Sequence, residues 1–190
     1  MYRAGHGPDK RRREGAGHND AMLEGLAPVI AADTRLVVLG SFPGVASLAA
    51  QQYYGHPRNH FWPLLSALWD EDLVALDYAQ RLAALQRHRV GLWDVYRSCE
   101  REGSLDSAIR LPVPNDLARL RQLAPGLQAV AHNGGESARS RRITAQLGVD
   151  VHALPSTSPA NASWRFERKL AAWRDVFSRY DLAPPRIERA

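Results

Sequence analysis

Apolar positions along this chain fall into short blocks of two kinds, separated by polar stretches rich in glycine and proline. The first kind is a continuous apolar run ending at a turn, the mark of a strand buried on both faces. Arg35-Leu-Val-Val-Leu-Gly40 is the clearest example, followed by Val90 to Tyr96, Leu127 to His132 and Val149 to Leu154. The second kind has apolar residues three and four apart, which predicts helices over Phe61 to Trp69, Tyr78 to His88, Asn115 to Leu123, Glu136 to Leu147 and Ala162 to Tyr180. Asn115 suits the N-cap of its helix, and Asn133-Gly134-Gly135 reads as the turn after the third strand. Strands alternating with helices predict an α/β fold. The expected form is a three-layer α/β/α sandwich around a central, mainly parallel four-stranded sheet.

Such sheets place their sites in the loops beyond the carboxyl ends of the strands. Four segments are thereby singled out: Gly40 to Asn59, Asp94 to Ile109, His132 to Ser137 and Pro155 to Trp164. They are also the least ordinary stretches of the sequence. The first opens Gly40-Ser-Phe-Pro-Gly44, a tight turn able to approach a ligand closely, and closes Gln52-Tyr-Tyr-Gly-His-Pro-Arg-Asn-His-Phe-Trp62. Its paired tyrosines offer flat surfaces, and Asn59 offers an amide that both donates and accepts. The last, Leu154-Pro-Ser-Thr-Ser-Pro-Ala-Asn161, is a hydroxyl-rich loop leading into a helix, a suitable partner for phosphate oxygens.

Composition narrows the chemistry. The 190 residues suffice for one domain with a sizeable core. Residues 1–20, with the run Lys10-Arg-Arg-Arg13, are expected to form a flexible basic tail, and residues 21–190 a single domain. Lys and Arg total 25 against 20 Asp and Glu, and the excess is nearly all arginine, which permits a nucleic-acid partner without requiring one. The single cysteine, Cys99, excludes an internal disulfide and any cysteine-clustered metal or iron–sulfur site. His56 and His60 are separated by Pro57, which argues against a helical metal pair. No metal, no cofactor and no membrane span are expected, and a cytoplasmic location is the default.

The stretch from Leu39 to Trp62, and within it His56-Pro-Arg-Asn-His-Phe-Trp62, resembles the first motif of the uracil-DNA glycosylase superfamily. It is most similar to the hypoxanthine-DNA glycosylase (deoxyinosine glycosylase) branch, and next to the mismatch-specific uracil/thymine glycosylases. Leu154-Pro-Ser-Thr-Ser-Pro-Ala160 resembles the second family motif, which packs on DNA at the flipped nucleotide. Gly91-Leu-Trp-Asp94 and His132-Asn-Gly-Gly135 fall where the family places its other strand ends. One departure is informative. Most of the superfamily carries Asp or Asn at the third place of its Gly-x-x-Pro motif, to activate or position water, and Phe42 stands there instead.

The resemblance implies a monofunctional DNA repair glycosylase that extrudes a deaminated base, hypoxanthine or uracil, and hydrolyses its N-glycosidic bond. The hypoxanthine branch is thought to use an asparagine later in the loop, which matches Asn59 and makes it the catalytic candidate. The residue-level alternative is that Asn59 caps the helix beginning at His60. Tyr54 matches the aromatic that stacks on the base. Gly40, Ser41, Phe42, Asp94 and Asn133 are the remaining base-binding candidates. Phe42 either lines the pocket or fills the core. Asp94 either reads a base edge, orders the loop from Arg97 to Ser104, or caps a turn. Asn133 either touches the base or holds the Gly134-Gly135 turn. Ser156, Thr157, Ser158 and Asn161 are expected to contact DNA, which would be double- or single-stranded and bound by a monomer. The competing readings are a non-catalytic damage binder of the same fold, a mismatch uracil/thymine glycosylase, and a nucleotide-binding α/β protein. The last is disfavoured because neither GxGxxG nor GxxxxGK[ST] occurs.

Overall fold

A computed structural model describes residues 22–184 of the protein, so the expected tail at 1–20 lies outside the described residues. The strands are β1 (Leu23–Glu24), β2 (Leu36–Gly40), β3 (Val90–Asp94), β4 (Tyr96–Glu100), β5 (Arg110–Pro114), β6 (Ala129–Asn133) and β7 (Asp150–Leu154). The helices are α1 (Val45–Ala50), α2 (Phe61–Trp69), α3 (Tyr78–Arg87), α4 (Leu120–Leu123), α5 (Gly135–Ala138), α6 (Arg141–Thr144) and α7 (Phe166–Ser178). Four strands form the expected sheet in the order β3-β2-β6-β7, and every pairing in it is parallel.

Period-two alternation divides the core between the faces of this sheet. On one side Leu36, Val38, Leu92, Ala129 and Ala131 pack with Phe61, Leu64, Leu65 and Leu68 of α2, Leu85 of α3 and Trp173 and Phe177 of α7. On the other, Val37, Leu39, Trp93 and Val130 pack with Leu117, Leu120, Ala124 and Leu127. Both layers are needed because β2, β3 and β6 are buried at every position. The helix starts obey local chemistry where a cap exists. Asp77 and Gln80 form a reciprocal capping box at the start of α3, at 2.8 and 3.1 Å.

Several elements differ from their sequence-based outlines. The helix expected over 115–123 is a 3-10 turn (Leu117–Arg119) running into α4, and Asp116 rather than Asn115 caps it by accepting from the Ala118 N–H. Asn115 instead donates through Nδ2 to the Asp94 carbonyl at 2.9 Å, holding the end of β3. The helix expected over 136–147 is broken into α5, α6 and a 3-10 turn over Ala145–Leu147. The expected strand from Val90 to Tyr96 stops at Asp94, because the Val95 and Tyr96 N–H groups donate to the Gly40 and Ser41 carbonyls and turn the chain. It continues as β4 in a second, antiparallel sheet of order β1-β4-β5, which the hydrophobic pattern does not foretell. That small sheet aims the connection between β4 and β5 at the carboxyl rim of the large one. Among the described residues no helix is long and apolar enough to cross a membrane.

Candidate active site

All four rim segments meet around one cleft of about 520 Å³. Every residue marked in the sequence lines it: Gly40, Ser41, Phe42, Tyr54, Asn59, Asp94, Asn133, Ser156, Thr157, Ser158 and Asn161. The volume is of the size that encloses a small-molecule ligand.

The first wall is held by a closed set of hydrogen bonds. Asn133, at the end of β6, donates through Nδ2 to the Thr157 hydroxyl at 2.9 Å and to the Tyr54 hydroxyl at 3.2 Å, and its Oδ1 accepts from the Thr157 N–H at 2.9 Å. Asn133 thereby staples the two family-like loops together, a role the sequence did not suggest, while it also lines the cleft. Thr157 is fully buried, and its carbonyl accepts from the His60 N–H, so all its polar groups are engaged within the protein. Gly134 lies beside this staple at φ 101°, and a Cβ there would sit 2.9 Å from that of Ser156. Only glycine suits that backbone and that approach. Beneath, His132 lies between the Ser137 and Thr144 hydroxyls, and burial lowers its pKa to about 4, so it is neutral and structural.

Tyr54 is stacked on Phe61, with centroids 3.8 Å apart and planes 20° from parallel. Its backbone is left-handed, at φ 55°, an unusual state for an aromatic residue that fixes where the ring points. Burial and the nearby Asp94 raise its phenol pKa, so the hydroxyl keeps its proton. Tyr53 is buried and borders the cleft from within the core, its hydroxyl donating to the Ala27 carbonyl at 3.0 Å. Asn59 accepts through Oδ1 from the Phe61 N–H at 3.0 Å and lines the cleft; because α2 begins at Phe61, His60 holds the N-cap position and Asn59 stands one residue before it. Its Nδ2 makes no hydrogen bond among the described residues.

The opposite wall is electrically different. Asp94 is 4% exposed, and its Oδ2 has no hydrogen-bond partner. A Cβ on Gly40 would fall 2.3 Å from Asp94 Oδ1, so the carboxyl lies directly against the glycine turn. Burial, with Asp106 adding to it, pushes the Asp94 pKa up to about 7. Phe42 is buried and lines the cleft, and the Arg101 guanidinium covers its ring at 5.1 Å. Arg101 donates through Nη2 to the Pro43 carbonyl, while Nε and Nη1 are buried without partners. The rim above is tied down at two points: the Val45 N–H donates to Ser104 Oγ at 2.9 Å, and the Ser41 hydroxyl donates to Asp106 at 2.6 Å. Between these ties Leu105 stands 57% exposed at the mouth.

Arg101, Ser104, Leu105 and Asp106 were not foreseen individually, though the strand-end rule marks their segment. Phe61 as the backing of Tyr54 was not foreseen either. Nor was Lys169 of α7, fully buried behind the loop, where Nζ donates to the Asn161 carbonyl at 3.1 Å. Among the described residues no group of three or more potential metal ligands is assembled.

Fold and cleft together define an α/β protein with a ligand-sized cleft at the carboxyl rim of a parallel sheet. Comparison with known proteins specifies which. Residues 27–177 match the model of the uracil DNA glycosylase superfamily. A hypoxanthine DNA glycosylase of Methanosarcina barkeri is 40% identical over 156 residues, covering 82% of this chain and 98% of that protein. Its counterpart in Methanosarcina acetivorans is 35% identical over 153 residues, covering 80% and 96%. A solution NMR structure from M. acetivorans, described as a candidate uracil DNA glycosylase, superposes with a TM-score of 0.77 at 34% identity, covering 85% of this chain and 99% of the other. The chain belongs to the uracil DNA glycosylase superfamily, a family of DNA N-glycosylases.

Proposed function

We propose that this protein releases hypoxanthine from DNA by hydrolysing its N-glycosidic bond, leaving an abasic site. The observation that carries the reading is the meeting of Asn59 and Tyr54, from a loop like that of hypoxanthine glycosylases, in one cleft with the loop from Pro155 to Asn161. The glycosidic bond is inaccessible inside a duplex, so the nucleotide must be extruded. Ser156, Ser158 and Asn161 grip phosphates, while Thr157 serves from within by fixing the loop. Tyr54, rigid on Phe61, stacks on the extruded base, a contact worth about 1–3 kcal/mol. Gly40, Ser41, Phe42 and Asp94 form the floor against which the base edge is read.

As the bond breaks, charge develops on the base and the sugar gains oxocarbenium character. Asn133 has spent both amide hydrogens on Tyr54 and Thr157, so donors to a base oxygen come from backbone N–H groups of the turn from Gly40 to Gly44. Asn59 holds the attacking water through Nδ2 and the second lone pair of Oδ1. The lysine of α7 is turned to the Asn161 carbonyl and does not line the cleft, in keeping with hydrolysis and no covalent intermediate.

The test uses labelled duplexes containing deoxyinosine, deoxyuridine or a G·T mismatch, with alkali to reveal abasic sites. Deoxyinosine should be the substrate, and its survival at enzyme excess overturns the reading. An Asn59→Ser variant separates the two roles of that residue. A serine hydroxyl can accept the same local bond from the Phe61 N–H but does not reach the water, so the single-turnover rate should fall about 100-fold with little change in the urea midpoint. An unchanged rate removes Asn59 from the reaction.

A further inference from the structure

The carboxyl of Asp94 is a buried acid whose Oδ2 no group among the described residues satisfies. It ends β3 at the cleft floor, against Gly40, and its Oδ2 has no partner. The groups facing it come from three directions: Tyr53 and Tyr54 from the loop after α1, Asp106 from the rim, and Arg101 behind Phe42. The tyrosines keep their protons and Asp106 repels a second negative charge, whereas Arg101 favours the carboxylate from a distance without forming an ion pair within 4 Å, and burial outweighs it. A carboxylate enclosed in this way is costly, whereas a carboxylic acid is not. In its protonated form Asp94 thus presents an acid at the place where the base would lie.

We propose that Asp94 is the general acid of the reaction, delivering its proton to N7 of an extruded 6-oxopurine as the C1′–N9 bond breaks. The proposal rests on the hypoxanthine-releasing function above and specifies the substrate class of that site. The electron pair of the C1′–N9 bond passes to the base, which leaves neutral because N7 has been protonated. Water held at Asn59 adds to C1′, and the proton it loses returns to the Asp94 carboxylate. Atoms and charge balance without a co-reactant. A pyrimidine has no nitrogen corresponding to N7, and on its loss the charge spreads over carbonyl oxygens that a hydrogen-bond donor can serve. A stored proton is therefore of use chiefly against a purine. An acid titrating near 7 is also matched to proton transfer at neutral pH.

The experiment is single-turnover release from duplexes carrying deoxyinosine, 7-deaza-deoxyinosine or deoxyuridine, between pH 5.5 and 9. The wild-type rate on deoxyinosine should be level below about pH 7 and fall about tenfold per unit above it, since only the protonated acid is active. The 7-deaza base should not be released, although its duplex should bind as well as that of deoxyinosine. Asp94→Asn should lower release by about 10²–10⁴-fold, and its residual rate should no longer fall above pH 7. Release of the 7-deaza base at a comparable rate, or a level wild-type profile to pH 9, overturns the proposal, and neither readout depends on a variant folding. Deoxyinosine released with those outcomes leaves the glycosylase reading intact and removes only the acid. A wild type that releases no base from any duplex overturns both.

Discussion

The two walls of the cleft are built on opposite principles. On the wall formed by Tyr54, Asn133 and the loop from Pro155 to Asn161, the buried polar groups are matched: Asn133 to Tyr54 and Thr157, Trp173 to the Pro155 carbonyl, Lys169 to the Asn161 carbonyl. On the wall formed by Asp94, Phe42 and Arg101, matching fails. The buried side-chain atoms lacking partners among the described residues are Asp94 Oδ2, Arg101 Nε and Arg101 Nη1, all on this side. Unpartnered buried polar groups are costly and uncommon in folded proteins, so their collection on one wall calls for an explanation. The first wall maintains shape; the second holds unspent polarity where a ligand would supply what is missing. Substitutions should therefore damage stability on one side and chemistry on the other.

The largest effect is expected from Asn133→Ala. Three hydrogen bonds go at once, and the Thr157 N–H and hydroxyl and the Tyr54 hydroxyl lose their partner. At about 1–3 kcal/mol for each buried group left unmatched, the unfolding free energy should drop by at least about 3 kcal/mol in urea titration. A loss below about 1 kcal/mol would mean that water replaces the staple and that the first wall is not what holds the loops together.

Gly40→Ala applies the same reasoning to the other wall. The new Cβ would lie 2.3 Å from Asp94 Oδ1 and 3.6 Å from the Tyr54 hydroxyl, so the carboxyl must move. Displacement of a reacting group by about 1 Å can cost about 100-fold in rate. Base release should fall by that order while the urea midpoint shifts far less than in Asn133→Ala. Equal damage to stability would dissolve the contrast between the walls.

The division also shows what could be read from the chain alone. The four parallel strands were legible because each is a continuous apolar run closed by a turn, and the strand-end rule then located the rim. Asn59 and Tyr54 were legible through the resemblance of their loop. The roles of Asn133 and Thr157 were not, because a staple is a property of two loops 24 residues apart that meet only in space. The second sheet escaped because β1 has two residues, and β5, reading Arg-Leu-Pro-Val-Pro, is exposed at most positions and carries two prolines. With it went Arg101 and Asp106, whose positions depend on where that sheet sends its connecting loop. The single helix expected over 136–147 failed for a local reason: the chain bends at Arg139 and Ser140, leaving turns too short for the pattern to distinguish from one amphipathic helix.

The smallest effect should come from two adjacent hydroxyls. Thr157 points inward to Asn133, whereas Ser158 sits on the loop surface, accepting only a 3.2 Å bond from the Ala160 N–H. Thr157→Val keeps the shape and strands one hydrogen of Asn133 Nδ2, so stability should fall by about 1 kcal/mol with little change in affinity for duplex DNA. Ser158→Ala should do the reverse, weakening duplex binding about fivefold for one lost hydrogen bond and leaving the urea midpoint in place. Because a hydroxyl releases no counterion, the salt dependence of binding should keep its slope in both variants. If Ser158→Ala lowered stability as much as Thr157→Val, the outer face of this loop would belong to the scaffold as well. The contact with DNA would then have to be sought on the arginines that flank it, Arg58 beside Asn59 and Arg165 beside Trp164.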